Sequence, residues 1–201
     1  MPEKKYRGVL FDFDGTLTSP GALDFPAIKR EIQCPDNQPI LEYLETLSAT
    51  FRHQYWKILE YRERQAAEAS RPNQGAEACL QLLKQKGIRL GILTRNSRPS
   101  VNLVLGKFQN MGTDDFSAII TRDEALPKPH PDGVLKAAEI MGIPIPELLV
   151  VGDFRYDIMA GKAAGATTAL LTNGNPPVKR PGDPEPDFMI HNLEEVLSIV
   201  V

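Results

Sequence analysis

Cysteine and long apolar runs are both scarce in this sequence. Two of the 201 residues are cysteines, Cys34 and Cys79, so the chain cannot form a framework of disulfides. No stretch approaches the ~20 consecutive apolar residues that cross a bilayer. The first residues lead directly into a strand-like segment, without the apolar core of a signal peptide. We therefore expect a soluble, cytoplasmic protein with reduced cysteines and no membrane partner.

An excess of charge of one sign is also missing. The chain carries 23 basic and 26 acidic residues, and its formal net charge at pH 7 is −3. A nucleic-acid-binding protein would need a concentrated basic surface, so nucleic acid is not an expected partner. Disorder is excluded because hydrophobic residues make up 42% of the chain and both charge signs are mixed. At roughly 150 residues per domain, the length suits one core with a small accessory unit, and it leaves the oligomeric state open.

Short β-branched runs alternate with longer helical patterns along most of the chain. This alternation is typical of a parallel sheet covered by helices, and several runs are aliphatic enough to be buried on both faces. Strands are predicted over residues 7–12, 89–94, 117–121, 148–153 and 167–172, with a weaker sixth over 187–190. Helices are predicted over 74–86, 99–110, 131–141, 155–164 and 193–200. The predicted fold class is α/β, a Rossmann-like doubly wound parallel sheet.

One stretch, residues 19–72, breaks the alternation because it holds no strand of comparable strength. A short helix is predicted near 25–33, and a long helical pattern runs over 40–69 until Pro72 should end it. We therefore predict an α/β core domain over residues 1–18 and 73–201, with a small α-helical cap domain over 19–72 inserted after the first strand. Residues 173–186 are rich in proline and glycine, which predicts a surface loop.

Polar side chains follow the predicted strands at the points where the strands end. In open parallel sheets, ligands bind beyond these carboxyl ends. The residues concerned are Asp12 and Asp14 after the first strand, Thr94 at the end of the second, Lys128 beyond the third, and Asp153 and Asp157 after the fourth. We expect them to form one site.

The carboxylates in this set predict a metal ion. Asp12, Asp14 and Asp153 would repel one another at one edge of the sheet unless a cation neutralised them. Oxygen ligands suit Mg²⁺, which also binds substrate phosphate. Lys128 adds a fixed positive charge for an anion, and Thr94 with the amides of the following helix can hold phosphate oxygens. The composition of the site thus indicates phosphoryl chemistry.

The two aspartates after the first strand can take different roles in phosphoryl transfer. A carboxylate can attack phosphorus and form an aspartyl-phosphate, which is the role expected for Asp12. Asp14, two residues further on, is placed to protonate the leaving group and later to activate water. Gly15 permits the tight turn that follows.

These residues resemble the motifs of the haloacid dehalogenase-like phosphohydrolase superfamily. DFDGTLT at 12–18 is similar to its first motif, Thr94 to the second, Lys128 in KPHP to the third, and GDFRYD at 152–157 to the fourth. The match spans nearly the whole chain, and DxDGT with a distant GDxxxD is specific. An insert after the first motif resembles the helical-cap (C1) subfamily, which includes phosphoglycolate phosphatases and β-phosphoglucomutases. The resemblance implies a strand order of 5-4-1-2-3.

The resemblance also implies a role for each matching residue. Dehalogenases lack a carboxylate at the position of Asp14 because their leaving halide needs no proton, so Asp14 favours phosphoryl transfer. The implied roles are Asp12 as nucleophile and metal ligand, Asp14 as general acid/base and metal ligand through its backbone carbonyl, Thr94, Lys128 and the Arg95 amide as phosphate-binding groups, Asp153 as metal ligand, and Asp157 as a residue acting through a metal-bound water or through Lys128.

The expected function is a Mg²⁺-dependent phosphatase whose partner is a small phosphorylated metabolite. One alternative is a phosphomutase, which would use the same residues and return the phosphoryl group to a sugar. Another is a regulatory or scaffold protein that kept the fold without the activity. Phosphoglycolate, a sugar phosphate and a nucleoside monophosphate all remain open as substrates, and the short cap favours a small substrate or one that enters the site easily.

Overall fold

The computed structural model describes residues 5–200. Its centre is one parallel sheet of six strands in the order β3-β2-β1-β4-β5-β6. The strands are β1 (Gly8–Phe11), β2 (Arg89–Leu93), β3 (Ala118–Ile120), β4 (Leu148–Gly152), β5 (Thr167–Leu171) and β6 (Phe188–Ile190). The predicted class is confirmed, and every predicted strand is present, one or two residues shorter than expected. The order contains 5-4-1-2-3 and differs from it by β6, which pairs with the outer edge of β5.

Helices cover both faces of this sheet. They are α1 (Phe25–Glu31), α2 (Ile40–Glu45), α3 (Ala49–Ala69), α4 (Ala76–Gln85), α5 (Arg98–Leu105), α6 (Asp132–Met141), α7 (Arg155–Ala164) and α8 (Glu195–Val200). Val9 and Phe11 of β1 pack in one apolar cluster with α4, α5 and α8. Leu10, between them, packs in a second cluster with α6 and α7. Successive side chains of a strand point to opposite faces, so β1 is buried on both sides.

The segment between β1 and α4 is helical, as predicted, but the helix expected over residues 40–69 is wrong in one respect. The structure has two helices there, with a break after Glu45. The Thr46 hydroxyl donates to the carbonyl of Tyr43, and Arg52 donates to the carbonyls of Glu45 and Leu47. These side chains satisfy carbonyls at the end of α2, so the chain can turn before α3 begins.

Helices α1, α2 and α3 pack around an apolar cluster of their own. Ile32, Leu44 and Leu59 are among its buried members. The segment enters and leaves at one place, because Thr18 and Pro72 form an isolated antiparallel bridge. The chain therefore enters and leaves the helical segment through two adjacent connections, which lie next to the carboxyl end of β1.

The remaining elements agree with most of the expectations. Residues 173–186 form an irregular loop, as predicted. The helix expected over 99–110 ends earlier, at Leu105, where Gly106 follows. Cys34 and Cys79 are both buried and free of disulfides. Within residues 5–200, no helix combines the length and the apolar character needed to cross a membrane.

Candidate active site

The turn after β1 brings two aspartates to the carboxyl edge of the sheet. Asp12 follows the strand directly, and the turn Phe13–Leu17 carries Asp14. Gly15 in this turn has a φ of +84°. A Cβ at this position would lie 2.2 Å from Oδ2 of Asp153. Glycine is required here by the left-handed backbone and by the close approach of the Asp153 carboxylate.

One nearby side chain and two from distant parts of the chain hold this turn in place. Thr18 Oγ1 accepts a hydrogen bond from the Gly15 amide at 3.3 Å. Asn73 Nδ2 donates to the Thr16 carbonyl at 2.9 Å, and Asn173 Nδ2 donates to the Gly15 carbonyl at 2.8 Å. Sequence reasoning did not single out these two asparagines, because each is one polar residue in a loop and no local spacing links it to the turn.

Lys128 lies between two carboxylates at the base of the site. Its Nζ is 2.5 Å from Oδ1 of Asp12 and 2.5 Å from Oδ1 of Asp157, and it donates to the Leu93 carbonyl at 3.0 Å. Burial lowers the pKa of Lys128, but the charges of the two carboxylates outweigh burial and raise it above its ordinary value. Lys128 is therefore a fixed positive charge, held at the expected edge.

Three carboxylates form a cluster with the spacing of a metal site. One oxygen each of Asp12, Asp153 and Asp157 lies within 4.8 Å of the others. Counting Asp14, four carboxylates face the single ammonium of Lys128. Burial, reinforced by the charge of Asp157, raises the pKa of Asp153 to about 7. Such a donor set of hard oxygens with excess negative charge fits a divalent cation such as Mg²⁺.

Burial also raises the pKa of Asp12 well above its ordinary value, since the attraction of Lys128 is outweighed by burial and by the neighbouring carboxylates. Asp157 was predicted to act through a metal-bound water or through Lys128. Its Oδ1 contacts Lys128, while Oδ2 accepts a hydrogen bond from the Phe154 amide at 3.0 Å. The buried carboxylate of Asp157 is thus both a partner of the lysine and a member of the acidic cluster.

Asp14 occupies a different environment from the cluster. Thr94 Oγ1 donates to its Oδ2 at 3.2 Å, and Asn96 Nδ2 donates to its Oδ1 at 3.2 Å. Burial raises the pKa of Asp14, although the two hydrogen bonds lower it. Sequence reasoning did not place Asn96 among the site residues. The available signal was an amide side chain two residues beyond Thr94, at the exit of β2.

The side chain of Arg95 forms its hydrogen bonds with groups other than the carboxylates of the acidic cluster. Its guanidinium forms two hydrogen bonds with the carboxylate of Glu42, at 2.9 and 2.6 Å. It also donates to the Lys128 carbonyl and lies 5.4 Å from the ring centroid of Tyr156. The expected phosphate contact from Arg95 therefore rests on its backbone amide, and that contact stays a prediction.

A second ion pair joins the helical segment to the core beside the site. Glu63 on α3 pairs with Arg122, just beyond β3, and their side chains are 5% and 4% exposed. Burial raises the pKa of Glu63 to about 7, although the charge of Arg122 lowers it. Sequence reasoning missed this pair. The signal was Glu63 itself, which lies four residues after Leu59 on the buried side of α3.

A cavity of about 420 Å³ opens onto the predicted residues. Its lining combines the site at the sheet edge with side chains of the helical segment. The predicted site residues in the lining are Asp12, Asp14, Thr94, Arg95, Lys128, Asp153 and Asp157. All seven residues singled out from the sequence therefore face one space.

The chain is similar to known proteins in sequence and in fold. The family profile of haloacid dehalogenase-like hydrolases matches residues 6–165. The chain is 30% identical over 220 residues to pyrophosphatase PpaX of Anoxybacillus flavithermus, covering 96% of this chain and 95% of that protein. It is 33% identical over 132 residues to phosphoglycolate phosphatase of Neisseria meningitidis, covering 63% and 55%. The crystal structure of a hydrolase from Pseudomonas syringae has the same fold, with a TM-score of 0.78, 22% identity and coverage of 96% and 97%.

Proposed function

The chain belongs to the haloacid dehalogenase-like hydrolase family, and we propose that it is a phosphatase that hydrolyses a phosphomonoester through an aspartyl-phosphate on Asp12. One observation carries the proposal. The Asp12 carboxylate lies against Lys128 within the acidic cluster, whereas Thr94 and Asn96 hold the Asp14 carboxylate apart from it. Two carboxyl groups in separate environments can serve as nucleophile and as acid.

In the first step, an oxygen of Asp12 attacks phosphorus and the ester oxygen of the substrate departs. Lys128 balances the charge of the phosphoryl group, and Thr94 and the Arg95 amide bind its oxygens. A bound Mg²⁺, held by Asp12, Asp153 and the backbone carbonyl of Asp14, would neutralise charge on the phosphoryl oxygens. The negative cluster supports a bound cation, because it would repel an unaccompanied phosphate, and the choice of these three ligands is the one that the family resemblance implies.

Asp14 moves the proton in both steps. Burial raises its pKa, so that its carboxyl group can carry a proton and give it to the departing alkoxide. Burial raises the pKa of Asp12 as well, but the charge of Lys128 lowers it, and a bound cation would lower it further and keep Asp12 a carboxylate. Asp14 is then a carboxylate and takes a proton from the water that attacks the phosphorus of aspartyl-phosphate. Inorganic phosphate leaves, and Asp12 and Asp14 return to their starting states.

The helical segment has a place in this proposal as a cap domain over residues 19–72. Its own apolar cluster and the paired crossings at Thr18 and Pro72 support the division from a core over 1–18 and 73–201. The cap covers the cavity, excludes bulk water and contacts the leaving group. A small phosphorylated metabolite in the cytoplasm is the expected partner, in keeping with two unpaired, buried cysteines.

The test is phosphate release from p-nitrophenyl phosphate, phosphoglycolate, a hexose 1-phosphate and pyrophosphate, with Mg²⁺ and with EDTA. Asp12→Asn should abolish release without unfolding the protein. The matched control Asp114→Asn, at an exposed position, should retain it. Wild-type release from folded Asp12→Asn would contradict the proposal. A hexose phosphate isomer without net free phosphate would establish the phosphomutase instead.

A further inference from the structure

Beyond the acidic cluster, one part of the cavity lining consists of apolar side chains, and polar side chains that include Asn37 and Gln38 lie beside them. We call this part the leaving-group subsite and define it by Phe25, Ile40, Leu41, Leu59, Phe154 and Tyr156. Four of the six belong to the helical segment, and the other two follow β4. The subsite is continuous with Asp12 and Asp14, so that a group bound there would be the part of the substrate that departs.

The cavity is larger than a small leaving group requires. Pockets that take drug-sized ligands begin at about 300 Å³, and this one measures about 420 Å³. The space beside a phosphoryl group can therefore take a leaving group of several carbon atoms.

Two aromatic rings of the subsite are exposed to solvent. Phe25 is 53% exposed and Phe154 is 42% exposed. Phe154 packs edge-on against Tyr156, with ring centroids 5.1 Å apart. Covering such surface with an apolar group is favourable by about 25 cal/mol per Å². A leaving group with a hydrocarbon or aromatic body would provide that cover.

Two of the charged side chains around the subsite are already paired. The guanidinium of Arg95 pairs with Glu42, and the carboxylate of Glu63 pairs with Arg122. Beyond the site at the sheet edge, the other charged side chains in the lining are Lys29, Asp36 and Arg180, which solvent reaches. Solvent and salt weaken their attraction for an anionic leaving group, and such a group would have to compete with Glu42 for Arg95.

We propose that the leaving-group subsite binds an uncharged, largely apolar group. The substrate class is an alkyl or aryl phosphomonoester without a second carboxylate or phosphate. The inference rests on the proposed function, and it narrows the substrate of that same site. The reaction is the hydrolysis of the ester by water, which gives the free alcohol and inorganic phosphate.

A series of n-alkyl phosphates tests the subsite. Ethyl, butyl and hexyl phosphate have leaving groups of nearly equal basicity, so that kcat/KM reports burial of the chain instead of intrinsic reactivity. We expect kcat/KM to rise about fourfold per methylene, which is the ~0.8 kcal/mol of one buried CH₂. Phosphoglycolate should fall below butyl phosphate. A flat or falling series, or phosphoglycolate above butyl phosphate, would overturn the proposal.

Phe25→Ser locates the effect, because Phe25 is exposed and its loss should leave the fold intact. This variant should lower the hexyl-to-ethyl ratio of kcat/KM several-fold, and a uniform loss of activity would leave that ratio unchanged. The matched control is Phe51→Ser, since Phe51 is 54% exposed and lies outside the cavity lining; it should leave the ratio unchanged. Equal ratios in wild type and Phe25→Ser would overturn the assignment.

Absence of phosphate release from every ester, p-nitrophenyl phosphate included, would overturn the proposed function and the subsite together. Release with a flat series would overturn the subsite alone.

Discussion

Glu63 and Arg122 form an ion pair that connects the helical segment to the core beside Asp14. Both side chains are buried, and the Arg122 guanidinium also lies 4.9 Å from the ring centroid of Trp56. The Arg122 amide donates to the Asn96 carbonyl at 3.3 Å, and the Asn96 side chain donates to Asp14. The pair therefore fixes α3 against the loop that holds the proposed acid.

Replacement of Arg122 by methionine should destabilise the protein strongly. The variant keeps a long side chain but leaves the carboxylate of Glu63 buried without a counter-charge, which costs about 3–5 kcal/mol. Urea unfolding at pH 8 measures the loss in the free energy of unfolding. Adding Glu63→Gln to Arg122→Met removes the unpaired charge and should recover most of it.

Arg64→Met is the control for that experiment. Arg64 pairs with Glu68 on the exposed side of α3, and a surface pair contributes about 1 kcal/mol or less. Equal losses of unfolding free energy in Arg64→Met and Arg122→Met would show that the buried pair stabilises the protein no more than the surface pair. Additive losses in the double variant Glu63→Gln, Arg122→Met would show the same.

The pH dependence of stability should contain a contribution from Glu63. Its pKa rises from 4.5 to about 7 in the folded protein. Below pH 4.5, Glu63 is protonated in both the folded and the unfolded protein. Between pH 4.5 and about 7, Glu63 keeps its proton only in the folded protein, so its contribution to the free energy of unfolding is lost as the pH rises. The difference of 2.5 units corresponds to about 3 kcal/mol.

Urea unfolding at pH 5 and pH 8 measures this effect as a difference between wild type and Glu63→Gln. The free energy of unfolding of the wild type, relative to the variant, should fall by about 2–3 kcal/mol from the lower to the higher pH. Glu60→Gln, at an exposed position on the same helix, should give no such change. A Glu63→Gln difference that is constant with pH would refute the assignment.

Gly15→Ala should abolish most of the activity. The new Cβ would displace the Asp153 carboxylate, and misplacement of a reacting group by ~1 Å can cost about 100-fold in rate. Gly21→Ala is a matched control, because Gly21 has a φ of +89° and no atom lies within 4 Å of the place that an added methyl would take. Both variants carry backbone strain of about 1–2 kcal/mol, but only Gly15→Ala should lose activity towards p-nitrophenyl phosphate. Equal activities of the two variants would contradict the close approach.

Glu42→Gln should widen the range of leaving groups. The substitution releases the Arg95 guanidinium from its ion pair, and a freed cation can bind a carboxylate through a charge-assisted hydrogen bond of about 1.5–3 kcal/mol. We expect kcat/KM for phosphoglycolate to rise about tenfold while that for ethyl phosphate stays constant. Because Glu42 is partly exposed, stability should change by about 1 kcal/mol or less. An unchanged ratio of the two substrates would show that Glu42 does not restrict Arg95.

The sheet, and the polar side chains that follow the carboxyl ends of its strands, could be predicted from the sequence because both depend on local patterns. Aliphatic runs mark buried parallel strands, and the carboxyl ends of adjacent parallel strands meet at one edge. Asp12 and Asp153 follow the neighbouring strands β1 and β4, so their proximity follows from the strand order. The position of each candidate residue at the end of its own strand was therefore enough to predict that these residues lie close together.

Contacts between the helical segment and the core could not be read in the same way. Glu42 and Arg95 are 53 positions apart, and Glu63 and Arg122 are 59 positions apart. Neither separation corresponds to a helical or strand period. The break between α2 and α3 could not be predicted either, because the apolar pattern of the sequence continues through Leu47. The break depends on hydrogen bonds from the side chains of Thr46 and Arg52 to backbone carbonyls after α2 ends.

Trapping of the covalent intermediate tests the central claim most directly. The protein is mixed with Mg²⁺ and p-nitrophenyl phosphate, quenched during turnover, and reduced with borohydride, which converts an aspartyl-phosphate to homoserine. Peptide mass spectrometry should then find homoserine at position 12, and none in Asp12→Asn or without substrate. Homoserine at another aspartate, or an unmodified Asp12 in a sample that releases phosphate, would contradict the account.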